Sequence, residues 1–182
     1  MINRIKFWLK ADRLGPDMPL THILLHFPLL MRRLCQKKFK RFGAKAEFRP
    51  GAYAVTCSKI SLGDRVIIRP GTMLFADPGP NGAGIEIEDN VMLGSGVHIY
   101  CANHRFDNVE MPLIDQGHYE SQSVTLKNGC WVGANAIILP GVVVGRNSVV
   151  GAGSIVTKDI PSGVVAVGNP AKVIKRLGVK WQ

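Results

Sequence analysis

The sequence predicts a β-solenoid, specifically a parallel β-helix whose short strands stack along one axis. Aliphatic residues recur at every sixth position through residues 124–160, and a small or short side chain stands two positions before each. A period of six fits neither an α-helix nor a coiled coil, but it is a multiple of the two-residue strand period. The repeats therefore bury one continuous aliphatic core. The aliphatic positions are Leu126, Val132, Ile138, Val144, Val150 and Val156, and the small ones are Cys130, Ala136, Val142, Ser148 and Ser154.

Residues 1–50 are predicted to form a basic, amphipathic helical segment. They hold twelve Lys and Arg against three acids, whereas residues 51–182 hold eleven against ten. Two roles fit: a cap on the open first coil, and a peripheral foot in which residues 1–45 contact an anionic membrane. The apolar run 20–31 is too short to span a bilayer, which takes about 20 residues. We therefore expect a cytoplasmic protein, bound at most peripherally to the inner face of the cell membrane.

Two helices are predicted within this segment. Gly15-Pro16 ends the first, because glycine and proline together interrupt a helix. The second is predicted to cover about residues 20–42, with a kink at Pro28 and a stop at Gly43.

The β-helix is predicted to occupy residues 51–168, followed by a basic tail at 169–182. Its period is interrupted by a Gly- and Pro-rich loop at 77–84 and by a longer loop at 103–123. An irregular excursion of 21 residues is uncommon in a compact domain unless it is functional. Since this loop also carries several polar and ionisable side chains, we predict the functional site where it leaves the coils.

The four cysteines show no CxxC pair, which indicates reduced thiols in a cytosolic protein. A covalent acyl-cysteine at Cys101 or Cys130 is conceivable. However, Cys130 stands in the small inward register, and no motif accompanies Cys101. Both are predicted to be packing residues.

Three further stretches resemble one enzyme family. The long loop opens with Asn103-His104, the next repeat reads Trp131-Val132-Gly133-Ala134, and near the C-terminus stands VGAGSIVTKDIPSGVVAVGNPAKVIKRL. With the repeats, they resemble the hexapeptide-repeat acyltransferases over about residues 55–177. Within that superfamily they are similar to the galactoside, maltose and xenobiotic acetyltransferases and to the O-acetyltransferases of bacterial surface polysaccharides. The resemblance implies a left-handed β-helix, a homotrimer, and acetyl-CoA bound in a groove between two subunits.

The activity that this resemblance implies is acetyl transfer from acetyl-CoA to a sugar hydroxyl, in the biosynthesis of a surface polysaccharide or a lipid-linked glycan. The reaction needs a base, because an alcohol is a poor nucleophile until its proton is removed. His104 stands where the family has its catalytic base, and a neutral imidazole suits that role. Asn103, Asp107 and Gln116 are the candidate acceptor contacts, and His118 is a candidate for shaping the pocket.

The resemblance also implies a set of acetyl-CoA contacts, while no metal and no nucleic-acid partner is expected. Basic residues near the C-terminus match the phosphates of coenzyme A in charge. The expected contacts are Trp131 and Ala134 beside the pantetheine arm, Ala152 at its amides, Thr157 and Lys158 at the nucleotide, and Lys172 and Lys175 at the phosphates.

Alternatives remain open at this stage. N-acetylation of an amino sugar, or acetylation of another small molecule, uses the same donor. A zinc site like that of the γ-class carbonic anhydrases requires His98, His104 and His118 to converge, although their spacing differs from that family's motif. A non-catalytic β-helix that binds partners through residues 103–123 predicts no turnover of acetyl-CoA.

Overall fold

The structure, a computed structural model, describes residues 2–178. Three helices precede the first coil in these residues: α1 (Ile2–Lys10), α2 (Pro19–Leu24) and α3 (Pro28–Lys38). The strands are β1 (Arg13–Leu14), β2 (Arg41–Phe42), β3 (Glu47–Phe48), β4 (Tyr53–Val55), β5 (Ile60–Leu62), β6 (Ile67–Ile68), β7 (Met73–Phe75), β8 (Ile85–Ile87), β9 (Met92–Leu93), β10 (His98–Tyr100), β11 (Val124–Leu126), β12 (Trp131–Val132), β13 (Ile137–Ile138), β14 (Val143–Val144), β15 (Val149–Val150), β16 (Ile155–Val156), β17 (Val164–Gly168) and β18 (Ala171–Arg176).

The strands form three sheets that are the faces of a prism. Sheet A has the order β1-β4-β7-β10-β13-β16, sheet B the order β14-β11-β8-β5-β2, and sheet C the order β18-β17-β15-β12-β9-β6-β3. From β2 to β16 the chain visits sheets B, C and A in turn, and strands of successive coils pair in parallel. This topology is the parallel β-helix predicted from the six-residue period.

The core fills the inside of the prism. The eleven inward positions predicted between residues 126 and 156 are each at most 2% exposed. Strand register stacks them in columns: Leu62 lies opposite Ile87, which lies opposite Leu126. Each fully buried aliphatic side chain contributes about 1.5–3 kcal/mol relative to an exposed one.

The three corners of the prism differ in the length of chain that they release. At the corner between sheets C and A, every coil has a residue with positive φ, a conformation that glycine and asparagine adopt at least cost. The corner between sheets A and B instead releases both long loops, residues 76–84 after β7 and residues 101–123 after β10. The two loops therefore leave the prism side by side. The residues with positive φ at the C–A corner are Gly51, Gly71, Gly96, Asn135 and Gly153.

The prediction of one kinked helix over residues 20–42 is wrong. Phe27 is extended, with φ −115° and ψ 112°, because a residue before proline avoids the helical region. Pro28 then begins a new helix, α3, where its missing N–H costs nothing. After α3 the ring of Phe39 packs 5.4 Å from the ring of Phe48, and the chain turns into the first coil.

The coils begin earlier than residue 51. Strand β2 pairs in parallel with β5, and β3 with β6, so residues 41–48 belong to the β-helix. Strand β1, which no periodicity indicated, pairs antiparallel with β4, and α1 ends at Lys10 rather than at Gly15-Pro16. Helix α3 contacts the edge strands β2 and β3. Residues 2–40 thus cover the end of the prism, and we call them the cap.

The other end of the prism is closed differently. Strands β17 and β18 pair antiparallel, so residues 171–176 of the predicted basic tail are part of sheet C. Within residues 2–178, no helix combines the length and the apolar character needed to cross a membrane.

Candidate active site

The two arms of the long loop run antiparallel and are joined by backbone hydrogen bonds. The Arg105 N–H donates to the Gly117 carbonyl (2.9 Å), and the Tyr119 N–H donates to the Asn103 carbonyl (3.0 Å). At the base of the loop, the Gln122 N–H donates to the Cys101 carbonyl (2.8 Å). His104 and His118 are therefore brought opposite each other near the wall of the prism.

A cavity of about 490 Å³ opens where this loop meets sheet A. One wall is apolar and comes from the outward side chains of β4, β7 and β10, while the polar groups come from the two loops. Such a lining, mostly apolar with a few polar groups, is typical of a small-molecule site. The lining residues are Val55, Phe75, Ala76, Asp77, Pro78, Tyr100, Ala102, Asn103, His104 and His118.

The two histidines of the cavity are in ring contact. The ring centroids of His104 and His118 are 4.1 Å apart, with 36° between the planes. This contact restricts the orientation of the His104 ring, which the sequence left undetermined. Both rings line the cavity, where they can contact a bound group.

Asp77, from the shorter loop, supplies a carboxylate to the same cavity. The pKa of Asp77 is held below its ordinary value mainly by a hydrogen bond from the Ser121 hydroxyl and, to a smaller extent, by one from the Gly79 N–H. Asp77 is therefore ionised at neutral pH. It joins the two loops, because Ser121 belongs to the longer one.

Of the three predicted acceptor contacts, only Asn103 lines the cavity. The side-chain amide of Gln116 donates to the carbonyls of Asn108 (2.7 Å) and Met111 (2.8 Å), so it braces the loop instead. Asp107 is exposed, accepts a hydrogen bond from the Tyr119 hydroxyl and pairs with Arg105 (3.2 Å). The prediction that Asp107 and Gln116 contact the acceptor is not supported by these positions.

The predicted acetyl-CoA contacts lie elsewhere on the prism. Trp131 lies on sheet C, and Ala134 and Ala152 stack at the C–A corner, where the Gly153 N–H donates to the Ala134 carbonyl (2.8 Å). Thr157 and Lys158 follow β16 at the A–B corner, and Lys172 and Lys175 lie on β18. Within a single chain, the predicted acetyl-CoA contacts therefore do not all lie together, and they do not all lie beside His104.

Trp131, the predicted pantetheine contact, has an apolar neighbour on the outer face of sheet C. Trp131 is 48% exposed and lies opposite Met92, which is 47% exposed. Together these two neighbours form a small exposed apolar surface. On the same sheet, β18 contributes the side chain of Lys172, which is exposed.

The three histidines of the zinc alternative do not converge. The His98 ring is bonded to the Tyr100 hydroxyl (3.0 Å, Nδ1 to Oη), whereas His104 contacts His118. Within residues 2–178, no group of three or more His, Cys, Asp or Glu side chains is arranged to hold a metal.

Cys101 and Cys130 are both buried, as predicted. Burial raises the pKa of Cys101 to about 11 and that of Cys130 to about 12. Because the thiolate is the reactive form, both thiols should be inert at pH 8 in the folded protein. We expect iodoacetamide to label neither residue in the native state and both in denaturant, as measured by mass spectrometry. Rapid labelling of the native protein would support an acyl-cysteine intermediate.

Comparison with known proteins identifies the family. The profile described as "Bacterial transferase hexapeptide (six repeats)" matches residues 123–158. Galactoside O-acetyltransferase of Escherichia coli is 35% identical over 144 residues, which cover 79% of this chain and 67% of that protein. The chain belongs to the hexapeptide-repeat acetyltransferases. Its predicted fold class, a left-handed parallel β-helix, is confirmed.

Two further relatives extend this comparison of the acetyltransferase. A solved galactoside acetyltransferase in complex with coenzyme A superposes with a TM-score of 0.75 at 29% identity, covering 97% of this chain and 78% of that one. A provisionally named acetyltransferase of Saccharomyces cerevisiae is 40% identical over 131 residues, 72% of this chain. The chain spans 63% of the length of that yeast relative.

Several residues of the acetyltransferase's cavity were missed by sequence reasoning. Phe75, Asp77 and Tyr100 line it, yet none belongs to the long loop. A usable signal was present: both interruptions of the repeat begin just after a strand of sheet A, so counting coils would have placed them at one corner. Phe75 and Tyr100 also occupy equivalent positions of their coils, and their rings stack 5.0 Å apart.

Proposed function

We propose that this protein is an acetyl-CoA-dependent O-acetyltransferase that acetylates a sugar hydroxyl. The observation that carries the proposal is His104, whose ring lines a cavity with an aromatic wall at the exit of the long loop. The galactoside O-acetyltransferases among its relatives support a sugar as the acceptor. A coenzyme A complex of a structural relative supports the donor.

The proposed chemistry begins with His104 as general base. Its neutral imidazole accepts the proton of the acceptor hydroxyl while that oxygen bonds to the thioester carbonyl carbon. The tetrahedral oxyanion is stabilised by backbone N–H donors. When the C–S bond breaks, the imidazolium returns the proton to the departing thiolate, so that an ester and a free thiol are formed.

The cavity walls suit a sugar ring. Phe75 and Tyr100 form an aromatic wall that can pack against the C–H groups of the sugar ring. Asp77 and Asn103 offer hydrogen-bond partners to its hydroxyls. The ionised Asp77 lines the same cavity as His118, so it also favours an uncharged acceptor over an anionic one.

The donor and the base are proposed to meet across a subunit interface, in a homotrimer. His104 belongs to the A–B corner, whereas Ala134 and Ala152 belong to the C–A corner, at the opposite edge of sheet A. A heterologous contact in a cyclic assembly brings such opposite edges of two copies together. Each site then combines the base of one subunit with donor contacts of the next.

Mixing two inactive variants tests this arrangement. His104→Ala removes the base, and Ala152→Glu places an acid at an exposed corner position where it repels the anionic donor. After the two are unfolded together and refolded at equal amounts, we expect about a quarter of wild-type thiol release, because a site needs one good partner of each kind. Each variant refolded alone is the control. No recovery in the mixture would place the whole site within one chain.

N-acetylation of an amino sugar remains the second candidate, because the same base and donor serve an amine. The reacting amine would have to be neutral, and no residue that lines the cavity favours the neutral form of an amine. A relative is named as a galactoside O-acetyltransferase, which favours O-acetylation. Mild alkali cleaves an ester product and leaves an amide intact, so the product distinguishes the two reactions.

We further propose that the sugar belongs to a lipid-linked glycan or surface polysaccharide.

A further inference from the structure

The cap exposes many large apolar side chains. Of the eighteen that are exposed within the described residues, eight lie between residues 5 and 30. Leu29 is 74% exposed, Ile23 58% and Phe27 54%. Exposed apolar residues concentrated in one segment of the chain indicate a surface that is covered in use.

Helix α3 shows two distinct faces. Met31 and Cys35, one turn apart, are buried against the prism. Leu29, Arg33 and Lys37 follow each other at intervals of four residues on the exposed side. Within residues 2–178, no salt bridge involves Arg33 or Lys37. An exposed helix face that combines leucine with unneutralised cations is typical of a helix lying on an anionic membrane surface.

A positively charged cleft lies beside this face. Its volume is about 440 Å³, and its lining includes Arg32, Lys45 and Arg49 next to the apolar Pro28. Glu47 neutralises Arg49 through an ion pair of 2.9 Å. The charges of Arg32 and Lys45 remain, so the cleft is complementary to a phosphate group at the edge of an apolar surface.

We propose that the cap is a docking surface for an anionic phospholipid bilayer. Leu29, Leu30 and Phe27 enter the interface between headgroups and acyl chains, and the basic residues contact the lipid phosphates. This proposal takes the homotrimer from the proposed function. In a cyclic trimer the three caps are related by rotation about one axis, so they face the same side and bind one membrane together.

The catalytic cavity lies three strand spacings from strand β1 of the cap. Strand β1 of the cap pairs with β4, and β7 and β10 follow in order. Since neighbouring strands are about 4.8 Å apart, the cavity wall at β10 is about 15 Å from β1. The guanidinium of Arg13 lies 5.3 Å over the ring of Tyr53 at this junction. A sugar carried on a membrane lipid would therefore be within reach, and it is the acceptor class that we infer.

Co-sedimentation with vesicles tests the docking surface independently of catalysis. We expect the full chain to sediment with phosphatidylglycerol vesicles, to sediment less with phosphatidylcholine vesicles, and to be released by salt. Leu29→Asp with Leu30→Asp should weaken binding about tenfold or more, because both lose apolar burial and add negative charge. Arg33→Gln with Lys37→Gln should weaken it about tenfold.

Matched variants elsewhere are the controls. Val109→Asp changes an apolar residue that is 92% exposed on the long loop, and Arg69→Gln with Arg146→Gln removes two exposed charges from the coils. Both should leave vesicle binding unchanged. Equal binding to the two vesicle types, or equal losses in controls and cap variants, would overturn the proposal. Competition by inorganic phosphate at constant ionic strength would assign the cleft to a free anion and would also overturn it.

Oligomeric state and turnover separate this inference from the proposed function. If the variant with Leu29→Asp and Leu30→Asp dissociates in sedimentation velocity, the exposed face of α3 is an interface between copies of this chain and the membrane proposal fails. Thiol release with a soluble galactoside should stay unchanged in this variant. With a dialkylglycerol galactoside in phosphatidylglycerol vesicles, the variant should lose about tenfold in rate, in line with its binding. An equal rate on the vesicle-borne sugar would overturn the inferred acceptor class.

Discussion

Replacement of His104 with alanine is expected to lower acetyl-transfer turnover about 10²–10⁴-fold, because the acceptor hydroxyl loses its general base. His104 lines the cavity and its ring contacts His118, so the substitution removes the imidazole without disturbing the buried core. Affinity for coenzyme A should stay the same, since none of the predicted donor contacts lines the cavity that holds His104. Thiol release and calorimetric titration with coenzyme A measure the two effects.

Arg146→Ala is a suitable control for this prediction. Arg146 is exposed at the corner between sheets B and C, away from both loops, and its loss should leave turnover unchanged. If His104→Ala turned over as fast as the wild type, the general-base mechanism would have to be abandoned. A parallel loss of coenzyme A binding would instead place His104 in the donor site.

Replacement of Leu126 with alanine is expected to lower the free energy of unfolding by about 2–5 kcal/mol. Leu126 is fully buried, and strand register sets it between Ile87 and Val144 in a stacked column. Alanine leaves a cavity in this column that the adjoining coils fill only in part. Urea denaturation measures the loss, at one protein concentration because an oligomer's stability depends on concentration.

Thr125→Ala provides the matched comparison. Thr125 is the preceding residue of the same strand, but it points outward and is only partly buried. Its replacement should change the free energy of unfolding by less than about 0.5 kcal/mol. Equal losses from the two substitutions would contradict the assignment of inward and outward positions in this coil.

The repeat determined the coils well because its information is local. In a strand, alternate side chains face the same way, so the spacing of Leu126, Val132 and Ile138 fixes which residues face inward. The cap was predicted less well. A proline is compatible with either a kink or a new helix, and the packing of Phe39 against Phe48 at the end of the prism decides where α3 stops.

The candidate site was predicted only in part. Asn103 and His104 were predicted from their place at the start of the long loop and from the resemblance to the acyltransferase family, and both line the cavity. Gln116 looked equally available, but its amide is used by the carbonyls of Asn108 and Met111. Which polar groups a loop keeps for itself depends on how it folds back on its own backbone, and spacing does not reveal this.

By itself the sequence determined the stacked coils, the inward residues, the two interruptions and the concentration of positive charge before residue 50. Only the tertiary structure decided that both loops leave one corner, so that Asp77 and His118 share a cavity although they are far apart in the chain. It also decided that His104 lies at one edge of sheet A and that Ala134 and Ala152, two of the predicted donor contacts, lie at the other. The reason is that strand periodicity acts between neighbouring residues, whereas the meeting of distant side chains depends on the register with which whole coils stack.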